Sequence, residues 1–186
     1  NGTQSRTSTK TEYIPIALQN SEYYYEYNSE KSLDKIAIVP NAGATDFALN
    51  GLVLENDNAG VIYHSIGVNG AKGVDFNKFT LFNEQLPALH PDLVIISLGT
   101  NESFDRQSAA FYFSQIEKMI AGIKEKSPEA CVLVMTSPPS VLHRKYQNTY
   151  IEEYASAIQE NTSALNYGIW DLLNVFGGNK AISRNS

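Results

Sequence analysis

Two stripes of apolar residues, each spaced four, three, four and three apart, constrain this chain more than any other feature. Ala109, Phe113, Ile116, Ile120 and Ile123 form one, and Ile151, Ala155, Ile158, Thr162 and Leu165 form the other. At 3.6 residues per turn this spacing lays each set along one helix face, so both segments read as amphipathic helices. Short apolar runs rich in β-branched residues surround them, at residues 61–66, 93–98, 132–135 and 167–173. Phe79, Phe82, Leu86 and Leu89 add a further segment at helical spacing. Strands that alternate with helices connect by right-handed crossovers, which predicts an α/β domain with a parallel sheet and helices on both faces. Leu93-Val94-Ile95-Ile96 has the continuous apolar character of a strand covered on both sides.

The first sixty residues have a different texture. Residues 1–10 are polar and read as a loose arm. Runs rich in tyrosine and β-branched residues follow at 13–18, 23–27, 36–39 and 47–54, separated by pieces such as Asn28-Ser29-Glu30 and Asn41-Ala42-Gly43. That pattern predicts an antiparallel β module. The division expected is a partial β-rich module over residues 1–59, an insertion in the main fold, followed by an α/β domain over 60–186. Tyr23-Tyr24-Tyr25 offers an aromatic platform on which a sugar could stack. Ordinary strand packing is the simpler reading of the same residues.

Composition narrows the partners. Charged residues make up 18% of the chain and the formal net charge is −6, with lysines scattered, which argues against a nucleic-acid backbone as partner. The longest apolar run falls far short of a membrane span. A single cysteine, Cys131, excludes an internal disulfide and a cysteine-built metal site, and its place beside a strand suggests a small buried thiol. No signal-peptide pattern is present, and the chain opens on Asn1-Gly2-Thr3 without an initiator methionine.

In sheets of this kind, ligands bind at the carboxyl ends of the strands. Two strand ends carry unusual residues. One is Ile66-Gly67-Val68-Asn69-Gly70-Ala71, whose glycines permit positive φ and close backbone approach. The other is Leu98-Gly99-Thr100-Asn101-Glu102-Ser103, where a side-chain amide directly follows a buried strand. Each alone is an ordinary turn or helix cap. Together they supply a backbone N–H and an amide N–H from neighbouring strand ends, which is what a developing oxyanion needs.

Ser65-Ile66-Gly67-Val68-Asn69-Gly70-Ala71 resembles the second sequence block of the SGNH (GDSL-type) hydrolase superfamily. Pro91-Asp92-Leu93-Val94-Ile95-Ile96-Ser97-Leu98-Gly99-Thr100-Asn101-Glu102 is similar to its third block, Gly-x-Asn-Asp, with Glu102 in place of the usual aspartate. Thr136-Ser137-Pro138-Pro139 and Trp170-Asp171-Leu172 fit the same pattern. The resemblance implies a three-layer α/β/α, flavodoxin-like domain acting as a serine esterase or acylhydrolase, with no metal or organic cofactor. It assigns Gly70 and Asn101 to the oxyanion hole, with Gly67 as the alternative glycine, and places Asn69 and Glu102 as substrate contacts. A β module ahead of the second block resembles those of carbohydrate-directed esterases, which implies a glycan or small-molecule ester substrate, deacetylation, and a secreted or periplasmic setting.

Two parts of that pattern are missing. No Gly-Asp-Ser block occurs, and none of His64, His90 or His143 follows an aspartate at the required spacing. No Gly-x-Ser-x-Gly arrangement replaces them. Ser97, Ser103 and Ser137 have no base beside them in the sequence, and a serine without a base is a poor nucleophile. His143 reads as a surface-loop residue. The family's sheet order, 2-1-3-4-5, sets the nucleophile strand between the strands at 61–66 and 93–98. The expectation is therefore that flanking segments before Asn1 and after Ser186 hold the first strand, the serine and the Asp-His pair, and that this chain alone is inactive or very weak. The competing reading is a non-catalytic carbohydrate-binding protein on a degenerate scaffold. A nucleotide- or flavin-binding domain ranks below both, because Gly67-Val68-Asn69-Gly70 is no phosphate-binding fingerprint.

Overall fold

The computed structural model describes residues 19–20, 23–40, 43, 45–46 and 48–182. The expected arm at 1–10, the strand at 13–18, Phe47 and the terminal residues 183–186 lie outside the described residues. The chain forms two compact units, Asn1–Asp57 and Asn58–Ser186.

In the first unit, β1 (Gln19–Asn20) pairs antiparallel with β2 (Tyr25–Glu26), with Gln19 opposite Glu26 and Asn20 opposite Tyr25. The strands expected at 36–39 and 47–54 do not form among the described residues, and Ile36, Val39, Leu49, Leu52 and Leu54 are all exposed. Strand propensity expresses a fit to a pleated, half-buried surface, and these runs have no such surface against them. Tyr25 and Tyr27 are exposed too, so strand packing does not account for them.

The second unit carries the α/β fold. Its first helices are α1 (Gly73–Lys78) and α2 (Leu81–Gln85), followed by a 3-10 turn at Leu86–Leu89. The helix suggested by Phe79, Phe82, Leu86 and Leu89 is thus shorter and ends tightly, with Pro87 in the 3-10 turn and His90 left-handed beyond it. Then come β3 (Leu93–Ile96), α3 (Thr100–Phe104), α4 (Ala109–Lys126) and β4 (Cys131–Met135). A small hairpin, β5 (Val141–Leu142) with β6 (Tyr146–Gln147), precedes α5 (Tyr150–Glu160) and α6 (Thr162–Leu165). The last elements are β7 (Gly168–Trp170), α7 (Leu172–Val175) and α8 (Asn179–Ile182). The strand foreseen over 167–173 is cut short because Asp171 accepts from Asn174 N and caps α7. Gly177, at φ +83°, then ends α7 in a Schellman motif, with Gly178 N–H donating to Leu173 O and Gly177 N–H to Asn174 O.

The central sheet is parallel, in the order β3-β4-β7, with Val94 beside Val132 and Ile96 beside Val134, which in turn neighbours Ile169. That parity of side chains points into the core. It meets Tyr112, Ile116, Met119, Ile120 and Ile123 from α4 and Tyr154 and Ile158 from α5. Ser108 caps α4 by accepting from Phe111 N, which fixes where the stripe begins. Ile116 and Ile123 are fully buried, each worth about 1.5–3 kcal/mol in removed apolar surface.

The opposite parity faces away from these helices. Leu93, Ile95 and Trp170 are about half exposed, and Cys131 is exposed rather than buried. The expectation of helices on both faces is therefore met on one face by the described residues. The reason is topological. From β3 to β4 to β7 the chain steps the same way across the sheet, so two right-handed crossovers put α4 and α5 on the same side. A helix on the second face requires a step in the other direction.

Residues 61–66 also depart from expectation. They form no ladder, and Val61 and Tyr63 are 96% and 81% exposed. A strand's N–H and C=O groups need a neighbouring strand, and none of the described residues provides one here. The sequence signal for a strand is local, whereas the strand itself depends on a partner.

Candidate active site

The two loops singled out in the sequence lie close together. Ala71 N–H donates to Val68 O at 3.0 Å, closing a turn with Asn69 and Gly70 at its centre. Gly70 has φ +83° while Asn69 has no positive φ, which matches a type II turn and explains the glycine. In such a turn the N–H of the third residue points away from the turn's own hydrogen bond. The Gly70 N–H has no acceptor among the described residues. Gly67 is exposed without positive φ.

Asn101 sits in the first turn of α3, directly after β3. Its side-chain amide donates to Ala71 O at 2.8 Å, tying α3 to the glycine turn. An amide nitrogen carries two hydrogens, so one remains for a second acceptor. The two donors expected from sequence are thus joined through a single carbonyl. Lys72 and Asp105 form an ion pair beside this contact, and the Lys72 ammonium is held above the usual lysine range, first by its hydrogen bond to Asp105.

Glu102 is placed differently from expectation. It is 1% exposed, and its Oε1 accepts from Gly73 N at 2.8 Å while Oε2 accepts from Gly99 N at 2.9 Å. Both oxygens are engaged with backbone, so it does not reach out as a substrate contact. The sequence signal for this was the spacing from Gly99 to Glu102. A glutamate three residues past a helix N-cap reaches back to the cap's N–H, as in half of a capping box.

Gly99 itself is fixed by crowding. At φ +117°, a Cβ there would lie 2.6 Å from Ser137 Oγ and 3.2 Å from the Tyr112 hydroxyl. Both hydroxyls donate to Leu98 O at 3.2 Å. Tyr112 stacks on Tyr154, with ring centroids 4.2 Å apart, and burial pushes both phenols well above their usual pKa.

Asn69 and Gly70 also line a cleft of about 410 Å³, whose other walls include Val68, Phe76, Phe79 and Phe82. Phe76 and Phe82 pack edge to face at 5.4 Å. Asp75 borders the cleft, but its carboxylate accepts from Lys72 N at 3.0 Å. The cleft thus combines an aromatic wall with the Gly70 turn.

Two of the three candidate nucleophiles of this chain are otherwise engaged. Ser103 Oγ donates to Thr100 O at 2.6 Å and accepts from the buried Asn148 amide at 2.7 Å. Ser137 donates to Leu98 O, and Ser97 is exposed. His143 lies in the β5–β6 turn, exposed and left-handed, with Nε2 3.0 Å from an Arg106 guanidinium nitrogen. The His143–Arg106 contact and the Asn148–Ser103 bond had no clear sequence signal, because each joins residues far apart in the chain. Among the described residues, no group of three or more His, Cys, Asp or Glu could hold a metal ion, and no helix is long and apolar enough to cross a membrane.

The model of the GDSL-like lipase/acylhydrolase family matches residues 41–184. Among solved structures, the chain is similar to the lipase/acylhydrolase from Enterococcus faecalis, with 26% identity, a TM-score of 0.46, and coverage of 60% of this chain and 57% of that one. It is also similar to a possible lipase from Chitinophaga pinensis, at 15% identity and a TM-score of 0.39, covering 55% of this chain and 49% of the other. The chain thus spans about half the length of these structures. No curated protein sequence matches it.

Proposed function

The chain belongs to the GDSL-like lipase/acylhydrolase family, and on that premise we propose that it carries the oxyanion-stabilising half of a serine esterase. A serine hydroxyl adds to the ester carbonyl as a base takes its proton. The carbonyl oxygen becomes an oxyanion and receives the Gly70 N–H and the second Asn101 amide hydrogen. Collapse expels the alcohol, and water then releases the acid by the same steps. The observation that carries this reading is the Asn101–Ala71 bond at 2.8 Å, which holds the amide beside a turn whose Gly70 N–H has no acceptor among the described residues.

The serine and its Asp-His pair belong, in this reading, to flanking segments of the same polypeptide. Three features support that. The chain's own Ser103 and Ser137 are engaged with backbone carbonyls, the apolar run at 61–66 forms no strand ladder among the described residues, and one face of the sheet is uncovered by them. The inserted strand would pair with β3 and with residues 61–66 together.

The substrate proposed is an acetylated carbohydrate or cell-wall glycan, met in a secreted or periplasmic setting. The exposure of Tyr25 and Tyr27 supports a sugar-stacking surface. The phenylalanine-walled cleft beside Gly70 favours a second reading, an ester with a larger apolar acyl group. Hydrolysis rates for p-nitrophenyl acetate, p-nitrophenyl octanoate and acetylated xylan separate the two. A preference for acetyl esters and xylan supports the glycan reading, and a preference for octanoate supports the apolar one. Absence of hydrolysis in a polypeptide that includes the flanking segments would return the chain to a non-catalytic binding role.

A further inference from the structure

We propose that Glu102 is a positioning residue that sets the spacing between the two oxyanion donors. This rests on the esterase reading of Gly70 and Asn101, and gives Glu102 a role that touches neither substrate nor reacting atoms.

The geometry is that of one carboxylate shared between two loops. Oε1 accepts from Gly73 N, three residues after Gly70, and Oε2 accepts from Gly99 N, two residues before Asn101. The side chain is 1% exposed, and a buried carboxylate is tolerated where hydrogen bonds satisfy both its oxygens. Bonds to a charged acceptor are the shorter and stronger class, so this brace resists displacement more than a neutral pair would.

Two other described side-chain contacts join these loops. The Lys72–Asp105 ion pair is substantially exposed, which leaves it open to solvent screening. The Asn101–Ala71 bond uses the donor residue itself. Glu102 is therefore the buried link that stays in place when Asn101 turns its other hydrogen to a substrate. Neighbouring positions reinforce it. A Cβ on Gly73 would lie 3.0 Å from Gln115 Cβ, and one on Gly99 would meet Ser137, so both amides approach closely because both residues are glycine.

Glu102→Gln is the informative variant, because it keeps the side chain's size. A glutamine can accept from only one of the two glycines, and its NH2 group faces the other N–H as a second donor. The test compares wild type and Glu102→Gln in the polypeptide that includes the flanking segments, with Ile158→Val as a variant whose destabilisation lies away from the loops. The expected result is a fall in kcat of about a hundredfold with KM nearly unchanged, since misplacement of catalytic groups by about an ångström costs that much. Nuclear magnetic resonance of the same proteins should show the Gly70 N–H and Asn101 side-chain amide signals shifted in Glu102→Gln and unmoved in Ile158→Val. Unchanged kcat, or unmoved Gly70 and Asn101 signals, would overturn the proposal. If wild type shows no hydrolysis, the esterase reading fails by itself, and the amide signals alone then decide whether Glu102 sets the loop spacing.

Discussion

The side-chain amide of Asn101 donates to the main-chain oxygen of Ala71 at 2.8 Å, so a residue in the first turn of α3 fastens a turn thirty positions earlier in the chain. Asn101 is thus a clasp on the loop that presents Gly70, and in the proposed reading its second amide hydrogen also serves the oxyanion. Asn101→Ala removes both. The expected loss in kcat is about 10²–10³-fold, the usual cost of one oxyanion donor. The accompanying loss of stability should be near that of a single hydrogen bond, about 1 kcal/mol. Steady-state kinetics and urea denaturation of the same variant check the two numbers separately.

Gly99 should tolerate no side chain. Its φ of +117° and the 2.6 Å approach to Ser137 Oγ add backbone strain to a steric clash. Gly99→Ala is expected to cost about 3 kcal/mol or more, combining left-handed strain with overpacking. Gly70→Ala shares the positive φ but meets nothing within 4 Å, so it should cost only about 1–2 kcal/mol. Paired denaturation curves measure the gap.

Ile95 and Ile96 are adjacent and nearly opposite in environment, at 44% and 3% exposure. Ile96→Ala empties a core position and should cost about 2–5 kcal/mol. Ile95→Ala on the open sheet face should cost about 1 kcal/mol or less in this chain alone. In a polypeptide whose flanking segments cover that face, the two costs converge. Denaturation of both variants in both lengths reads this directly.

Alkaline pH should weaken the fold. Burial pushes the Tyr167 phenol up to about 12, from an ordinary 10.0, and raises Tyr112 and Tyr154 further. The neutral phenols are favoured in the folded state, so their stabilisation is complete below pH 10 and lost as pH rises from there through the folded values. A steep fall in thermal midpoint above pH 10, reduced in Tyr167→Phe, is the expected outcome. Its measure is a set of melting curves from pH 8 to 12.

Local periodicity made most of the second unit legible. The stripe from Ala109 to Ile123 falls within α4, and the strands at Leu93–Ile96 and Cys131–Met135 form where their apolar runs begin or close to it. Ile151, Ala155 and Ile158 are buried as their spacing implies, although the helix pauses at Asn161, whose amide bonds back to Ala157 O. What failed was non-local. Residues 61–66 have the composition of a strand, but a strand exists only in a ladder. Cys131 is exposed because the parity it occupies on β4 lies on the open face, which strand composition cannot reveal. The same limit applies to the site. Gly70 and Asn101 could be picked out by glycine and amide positions after apolar runs. The buried pairing of Glu102 with Gly73 crosses 29 residues and leaves no trace in spacing.

The most direct test of the esterase account is intact-mass spectrometry of the natively produced protein, before and after reaction with a fluorophosphonate serine probe. The account predicts a mass well above the 20.6 kDa of this chain and a single covalent adduct, located on a serine in a flanking segment. A mass near 20.6 kDa with no adduct would contradict it and leave a scaffold that binds its ligand without cleaving it.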